Sequence, residues 1–550
     1  MIGGREAAFA FRSTRSSSPV ASQSSKMATG RTQLQTFLWV AALGLCGTVL
    51  ALLTVAFVRA YSARPSTAAR PAFQALKDSQ RRVEAAFTPR ERRELKLVLQ
   101  GAIQLQTVSF SADDQNTTAL AEFGSYIQKA FPAVFASTFI QHEVIGEYSH
   151  LFTVQGSNSQ LQPYMLLAHI DVVPASPEGW DVDDPFSAEE RDGYIYGRGT
   201  LDNKNSVMAI LHALEFLLRR NYQPHRSFYI GLGHDEEVGG QKGAKKIVAK
   251  LESRGVRLSF LLDEGSFIYD GIVTGIEKPV ATIAVTEKGA ITANLTVMLE
   301  PGHSSAPPKR TSIGILSEAL TKLEQHPLPN LFGHGAEIMM FEQLAPDFRF
   351  PLNIIMANLW LFAPLVGKFL EQTPTTNALV RTTTAITMFH GGIKSNVIPP
   401  SANATVNFRI HSSQTVDEVL EIVDKTIDDK RVKIEAEDAF DPLPISSWDD
   451  HTFGVQVFRQ TILDVFPEVG SIVPGVCIGN TDSRHYGSLT NDIYRFNPVF
   501  FKNTDLPRFH GLNERISTEN YEKQVEFIFQ LIQNSDINPP TESHASLHEL

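Results

Sequence analysis

Cysteine is nearly absent from this sequence: Cys46 and Cys477 are the only two in 550 residues. That excludes a disulfide framework and any zinc module built on thiolates. Positive charge is also in deficit, with 49 Lys and Arg against 60 Asp and Glu, a formal net charge of −11 and a pI near 5.8. A wholesale nucleic-acid-binding surface is thereby argued against. The biases of disordered, collagen-like or coiled-coil chains are missing too, since 43% of residues are hydrophobic, 20% charged and 9% aromatic. A chain of this length can bury a large core and is expected to form two or more domains. Nitrogen and oxygen ligands are plentiful, in 16 His and the 60 acidic residues. Any bound metal is therefore held by imidazole and carboxylate.

Residues 1–36 are rich in Ser, Thr and Arg without helical or strand periodicity, and are expected to be disordered; Met27 offers a second start. The run from Phe37 to Val58 carries no charge and is long enough to span a bilayer. Two readings compete for residues 37–62. Ala60-Tyr61-Ser62 suits cleavage of a signal peptide, whereas the length of the run suits an uncleaved anchor. Flanking Arg59, Arg64 and Arg70 do not decide between them. Either way the rest of the chain enters the secretory pathway, as a secreted protein or a type II membrane-anchored one. The sequons at Asn116, Asn294 and Asn403 fit a glycoprotein.

A polar linker is expected over 63–90 and a C-terminal tail over 533–550. Between them, apolar runs at 164–168, 227–232 and 258–262 alternate with helical spacing over 203–218 and 242–251. This alternation predicts an α/β domain, a mixed sheet flanked by helices. From about residue 283 the pattern becomes that of half-exposed antiparallel strands, at 282–299 and 402–410, with an amphipathic helix at 416–427. The expected organisation is a catalytic domain in two parts, 91–283 and 441–532, with an α+β lid domain inserted at 284–440. Within the insertion, residues 338–370 are unusually greasy, with Met339, Phe341, Trp360, Phe362 and Phe369 among them. They suit either core packing or the lining for an acyl chain.

Four acidic or histidine clusters follow the strand-like runs: His169-Ile-Asp171, Gly197 to Lys204 with Asp202, His234-Asp-Glu236-Glu237, and Asp263-Glu264. Open α/β sheets gather their sites at strand ends, so four clusters in order point to one centre. The donor set suits a pair of zinc ions, which take imidazole nitrogen at about 2.0–2.1 Å and carboxylate oxygen at about 2.0–2.2 Å. Two such ions need a shared carboxylate to offset their repulsion. Adjacent Glu236 and Glu237 allow one to ligate metal while the other moves a proton. Asp171 stands where it can orient the imidazole of His169.

HID (169–171), GRGTLDNK (197–204), HDEEVGG (234–240), LDEG (262–265), EPGHSSAPP (300–308) and FHGLNE (509–514) together resemble the M20 family of metallopeptidases, over about residues 95–530. The leader, SNVIPP (395–400) and the apolar insertion are most similar to the secreted branch of that family that acts on N-fatty-acyl amino acids. The membrane-anchored carboxypeptidase S type comes next. The resemblance implies a zinc-peptidase fold and two zinc ions, His169 and Asp263 on one, Glu237 and His510 on the other, Asp202 between them. It makes Glu236 the general base and then acid, Asp171 the orienting carboxylate, and His303 an oxyanion donor from the lid that often reaches across a dimer. Asn396, Arg409 and Arg484 match positions that bind a substrate's free carboxylate, a group that guanidinium grips in bidentate fashion. Two departures touch the substrate: Asn480 where many relatives carry a small residue, and a long insertion near 331–380.

The expected activity is a dizinc amidohydrolase that cleaves N-acyl amino acids to fatty acid and amino acid, or condenses them. Three alternatives stand beside it: a carboxypeptidase or dipeptidase, a non-catalytic ectodomain with a peptidase fold, and a lipid carrier or membrane-associated module using residues 338–370. A homodimer through the lid belongs to the same expectation.

Overall fold

The computed structural model describes residues 21–62 and 82–536, with side chains from residue 36 onward. The chain divides after Ser62 into two compact units. The first is helix α1 (Ala21–Ser62), whose segment Thr36–Ser62, 27 residues, is long and apolar enough to cross a membrane. Such a helix is compatible with a signal sequence or an anchor. Because α1 starts at Ala21, part of the segment expected to lack structure is helical; residues 1–20 lie outside the described residues. So do 63–81 of the expected linker and 537–550 of the expected tail. Residues 82–90, at the end of the expected linker, belong to the second unit. Arg82 already meets Asp464 at 2.9 Å, and the Val83 N–H donates to Gln533 at 2.8 Å.

The second unit opens with α2 (Pro89–Gln104), started by a capping box in which Thr88 and Glu91 satisfy each other's backbone N–H. Next come β1 (Ile140–Ile145), β2 (Ser149–Val154), β3 (Tyr164–His169), α3 (Lys204–Arg219), β4 (Phe228–Gly233), α4 (Ala244–Ser253), β5 (Leu261–Tyr269) and β6 (Val280–Glu287). The chain then leaves to form β7 (Gly289–Met298), α5 (Ser312–Gln325), α6 (Glu337–Leu344), α7 (Leu359–Leu370), β8 (Thr383–Gly391), β9 (Ser401–Ile410), α8 (Val416–Ile427) and β10 (Val432–Phe440). It returns with α9 (Phe453–Val465), β11 (Ser471–Cys477), β12 (Ile493–Phe501) and α10 (Thr518–Asn534).

Eight strands make one mixed sheet in the order β11-β6-β12-β5-β3-β4-β2-β1, with β12, β5, β3 and β4 parallel at its centre. β3 is buried at every position because both faces are covered. Tyr164, Leu166 and Ala168 pack on the side of α2, α3, α9 and α10, whereas Met165 and Leu167 pack on the side of α4. Period-two alternation thus puts apolar residues on both faces, and the run reads as continuous.

The lid is a four-stranded antiparallel sheet, β8-β9-β7-β10. One face is apolar: Ile291, Leu295, Val406 and Phe408 pack against Ile315 and Leu316 of α5 and Val419 and Val423 of α8. Its two crossings to the main body lie side by side. Ala290 pairs with Phe440, and a Cβ on Gly289 would stand 2.6 Å from the Phe440 carbonyl oxygen.

Two boundaries differ from expectation. The alternating stretch 282–299 is not one strand: residues up to Glu287 belong to the main sheet, and the lid starts after Lys288. The greasy insertion belongs to the lid by sequence position but packs elsewhere. Phe341, Leu344, Phe348 and Leu359 form a cluster with Val280 of β6 and Val473 of β11, the last two strands at one end of the main sheet. Packing against those strands accounts for one face of the insertion. The other face of α7 stays in solvent, with Trp360 54%, Leu365 61% and Phe369 73% exposed.

Candidate active site

β3 and β4 run parallel with His169 opposite Gly233, so the residues after each strand emerge together. His169 ends β3, and the His234–Glu237 turn follows β4. Between them sits Asp171, fully buried. Its carboxylate accepts from Ser109 Oγ at 2.8 Å and from the backbone N–H groups of Glu236 at 3.1 Å and Glu237 at 3.3 Å. Asp171 also faces His169 Nδ1 at 3.4 Å, while its carbonyl oxygen takes the shorter contact at 2.9 Å. One residue therefore fixes both, its carbonyl oxygen the imidazole and its carboxylate the turn that carries the glutamate pair.

With Nδ1 engaged, His169 Nε2 is directed at carboxylates: Asp202 and Glu264 at 3.0 Å each, Glu236 at 4.0 Å. His510 Nε2 approaches the same aspartate from the other side, 2.8 Å from Asp202 Oδ2 and 3.3 Å from Glu237. Asp202 thus stands between two imidazoles. The ligand atoms of His169, Asp202 and Glu237 lie within 4.8 Å of one another, as do those of His169, Glu236 and Glu264.

So much acid in one buried place moves the proton affinities of Glu236, Glu237, Glu264 and His510. Burial, with Glu237, Glu264 and Asp482 around it, holds the Glu236 carboxyl well above its ordinary value against the pull of His169. Burial and then the Asp202 charge push Glu237 up to about 7. Burial also pushes Glu264 up to about 8, against the pull of His169. His510 is pushed up to about 10 by its bonds to Asp202 and Glu237. Glu237 Oε1 is buried without a hydrogen-bond partner. Crowded carboxylates, two convergent imidazoles and an orphaned oxygen are the donor chemistry that a divalent zinc site requires.

The profile of peptidase family M20/M25/M40 matches residues 165–534, more than half of the chain. The chain belongs to that family. It is 60% identical over 469 residues to the N-fatty-acyl-amino acid synthase/hydrolase PM20D1 of Mus musculus, covering 85% of this chain and 93% of that protein. It is 57% identical over 469 residues to the protein of the same name from Homo sapiens, with the same coverage. A probable carboxypeptidase S-like 2 of Dictyostelium discoideum is 38% identical, over 82% of this chain and 87% of that one. Among solved structures, an M20 family metallo-carboxypeptidase from Sulfolobus solfataricus superposes with a TM-score of 0.59 at 18% identity, covering 80% of this chain and 99% of its own. Human carnosine dipeptidase 1 does so with 0.59 at 15%, covering 81% and 96%. These structures share the M20 fold, and the chain is an enzyme of a metal-dependent peptidase family.

One expected ligand is corrected by the geometry. Asp263 does not face His169: its carboxylate accepts the Ser483 N–H and the Glu264 N–H, each at 2.9 Å, and so caps the Asp482–His485 turn. Glu264 occupies the place at His169 instead. Consecutive residues of a strand point to opposite sides, and the LDEG motif alone cannot tell which carboxylate faces the centre.

The substrate-binding candidates fall in two places. Arg409 and Arg484 lie close enough for each charge to act on the other, and Glu236 acts on Arg409 as well. Arg484 donates to the Gly239 carbonyl at 2.7 Å and lies over the Phe440 ring. His303 and Asn396 are elsewhere, exposed on a two-residue pairing of 302–303 with 397–398. The contacts of the His303 ring are with Ser305, and the Asn396 carbonyl accepts the Ser304 N–H at 3.2 Å.

Two further residues of the motifs, Arg198 and Glu514, hold the centre together. Glu514 Oε1 accepts the N–H groups of Gly199 at 3.0 Å, Leu201 at 2.8 Å and Asp202 at 3.2 Å. Arg198 donates to the carbonyls of His510 at 3.1 Å and Gly511 at 3.2 Å. Their presence inside GRGTLDNK and FHGLNE was the available signal.

Proposed function

We propose that this chain is a zinc-dependent amidohydrolase that reversibly hydrolyses and condenses N-fatty-acyl amino acids. The observation that carries the chemistry is Asp202 set between His169 and His510, at 3.0 and 2.8 Å, with Glu236 beside them. The substrate class rests on the named relatives at 57–60% identity. Two zinc ions per chain complete the reading: His169, Asp202 and Glu264 would hold one, and His510, Asp202 and Glu237 the other. Bound there, zinc would supply Lewis acidity to the amide carbonyl and lower the pKa of water.

The residues of the chain do the rest. Glu236 takes a proton from the attacking water and returns it to the departing amine nitrogen, a task suited to a carboxyl whose proton affinity burial has raised. Asp171 keeps the imidazole of His169 and the Glu236–Glu237 turn in place. Arg409 and Arg484 supply positive charge for the free carboxylate of the amino acid. His303 donates a hydrogen bond to the oxyanion, and Asn396 assists at the carboxylate, both from a second copy paired through the lid. Their exposure supports that assignment, as does β8, which has β9 as its one strand neighbour. The solvent-facing side of α7 would meet the acyl chain and any lipid that carries it. Passage through the secretory pathway, with release or anchoring by α1 and a glycan on exposed Asn403, belongs to the same reading.

The test uses protein collected from culture medium with N-oleoyl-phenylalanine as substrate. Chelation should abolish hydrolysis and zinc should restore it. A clear preference for a blocked dipeptide, or turnover indifferent to chelation, would overturn the proposal.

A further inference from the structure

Arg409 is a guanidinium held by a neutral group. It donates from Nη1 to the side-chain oxygen of Asn480, and the Asn480 amide donates in turn to the carbonyl of Lys288. Arg484 bonds to a backbone carbonyl, and Lys288 Nζ to those of Ala378 at 2.8 Å and Arg381 at 2.7 Å. Among the described residues no carboxylate pairs with any of these three cations. Of the acids near Arg409, neither Glu236 nor Glu287 forms an ion pair with it, and Glu287 is engaged through Oε2, which accepts from Arg495 at 3.1 Å and from the Thr481 N–H and hydroxyl at 3.1 Å each. Those last two bonds fix the backbone next to Asn480, so its amide is presented from a rigid support. Burial and the Arg484 charge lower the pKa of Arg409 below its usual value, as expected for a cation that lacks a counter-ion.

We propose that Asn480 is a specificity-determining positioning residue: it fixes the Arg409 guanidinium while leaving its charge available to the free carboxylate of the substrate. The chemistry is selective. An acid at 480 would neutralise Arg409 in advance, and a residue without a side-chain oxygen would leave the guanidinium unheld. The same amide spans three chain segments: the turn after β11, the lid strand β9 and the crossing at Lys288. A bound carboxylate therefore sits on a cation whose position is set from the main body while its backbone belongs to the lid. This inference rests on the reading that Arg409 meets the carboxylate, and its test separates the two.

The experiment compares hydrolysis of N-oleoyl-phenylalanine with that of its uncharged primary amide by full-length Asn480→Asp, Asn480→Gly and Arg409→Met, each checked for zinc content and melting temperature. Asn480→Gly should raise KM for the acid about tenfold, leave kcat within about threefold, and leave KM for the amide unchanged. Asn480→Asp should raise it further and erase the preference for acid over amide. Should the aspartate variant fail to fold, the glycine variant alone decides. An acid KM within about twofold of the parent in the folded Asn480 variants overturns the role of Asn480. If Arg409→Met also leaves the acid preference intact, the carboxylate reading fails with it. If Arg409→Met erases that preference and the Asn480 variants do not, only the inference about Asn480 falls.

Discussion

Arg198 and Glu514 form a fully buried ion pair, Nη1 to Oε2 at 2.5 Å, that joins the loop bearing Asp202 to the loop bearing His510. More than 300 residues separate the partners in sequence. Breaking a buried pair from one side leaves an uncompensated charge and costs about 3–5 kcal/mol. Glu514→Gln keeps an acceptor for the three backbone N–H groups but strands Arg198. It should lower stability by about that amount and weaken zinc retention, read by denaturant unfolding and by zinc analysis after dialysis. An unchanged zinc content together with unchanged stability would refute the keystone role.

The neighbours Asp263 and Glu264 should separate cleanly. On the proposed assignment of Glu264 to one of two ions, Glu264→Gln is expected to lower bound zinc by about half and kcat by at least about 100-fold. Asp263→Asn should retain zinc and lose about 1–3 kcal/mol of stability, because one of its two backbone bonds becomes a poor match. Metal analysis of the two variants side by side gives the answer. Zinc loss in the Asp263 variant alone would reverse the assignment.

Acid should destabilise the fold through histidines outside the centre. Burial lowers His150 and His212 to about 3 each. In the unfolded chain they titrate near about 6.5. Between those values the unfolded state binds protons that the folded state refuses, so stability is full above about pH 6.5 and falls as pH drops toward 3. Each should contribute about 2 kcal/mol to the difference between pH 8 and pH 5. Replacing His150 by Phe should shrink that difference by its share, whatever the variant does to stability at pH 8. Guanidinium melts at the two pH values provide the measurement.

The exposed side of α7 should act on lipid and leave folding alone. Trp360, Leu365 and Phe369 have most of their surface in solvent, so changing all three to Ser is expected to leave the melting temperature within a few degrees. KM for N-oleoyl-phenylalanine should rise while KM for N-acetyl-phenylalanine stays put. Equal shifts for long and short chains would remove α7 from the acyl reading.

The main sheet was legible because β3 is buried on both faces and therefore reads as an uninterrupted apolar run, with chemistry placed where such strands end. Asp202 and His510 were legible only within motifs, since their meeting depends on a return of the chain after the lid. Other features need three dimensions. Periodicity gives the strand character of 282–299 but not its partners, which change at Lys288 from the main sheet to the lid. Composition shows that 338–370 is apolar, yet a greasy segment carries no label for the surface it covers, and this one covers β6 and β11. Asn480 stands out in the motif only as an unusual residue; its bonds to Arg409 and Lys288 come from tertiary contact.

The lid departs and returns at one spot, where Gly289 lies against Phe440. For the main body the whole excursion therefore has the ends of a tight turn, and its length adds little to the entropy of closing the sheet around it. A lid sheet of different size on the same two crossings is therefore expected to leave the register of β6 and β11 undisturbed, provided the segment that covers Val280 and Val473 is kept. Exchange of that module would alter what meets the substrate while the carboxylate and imidazole cluster stays in the main body.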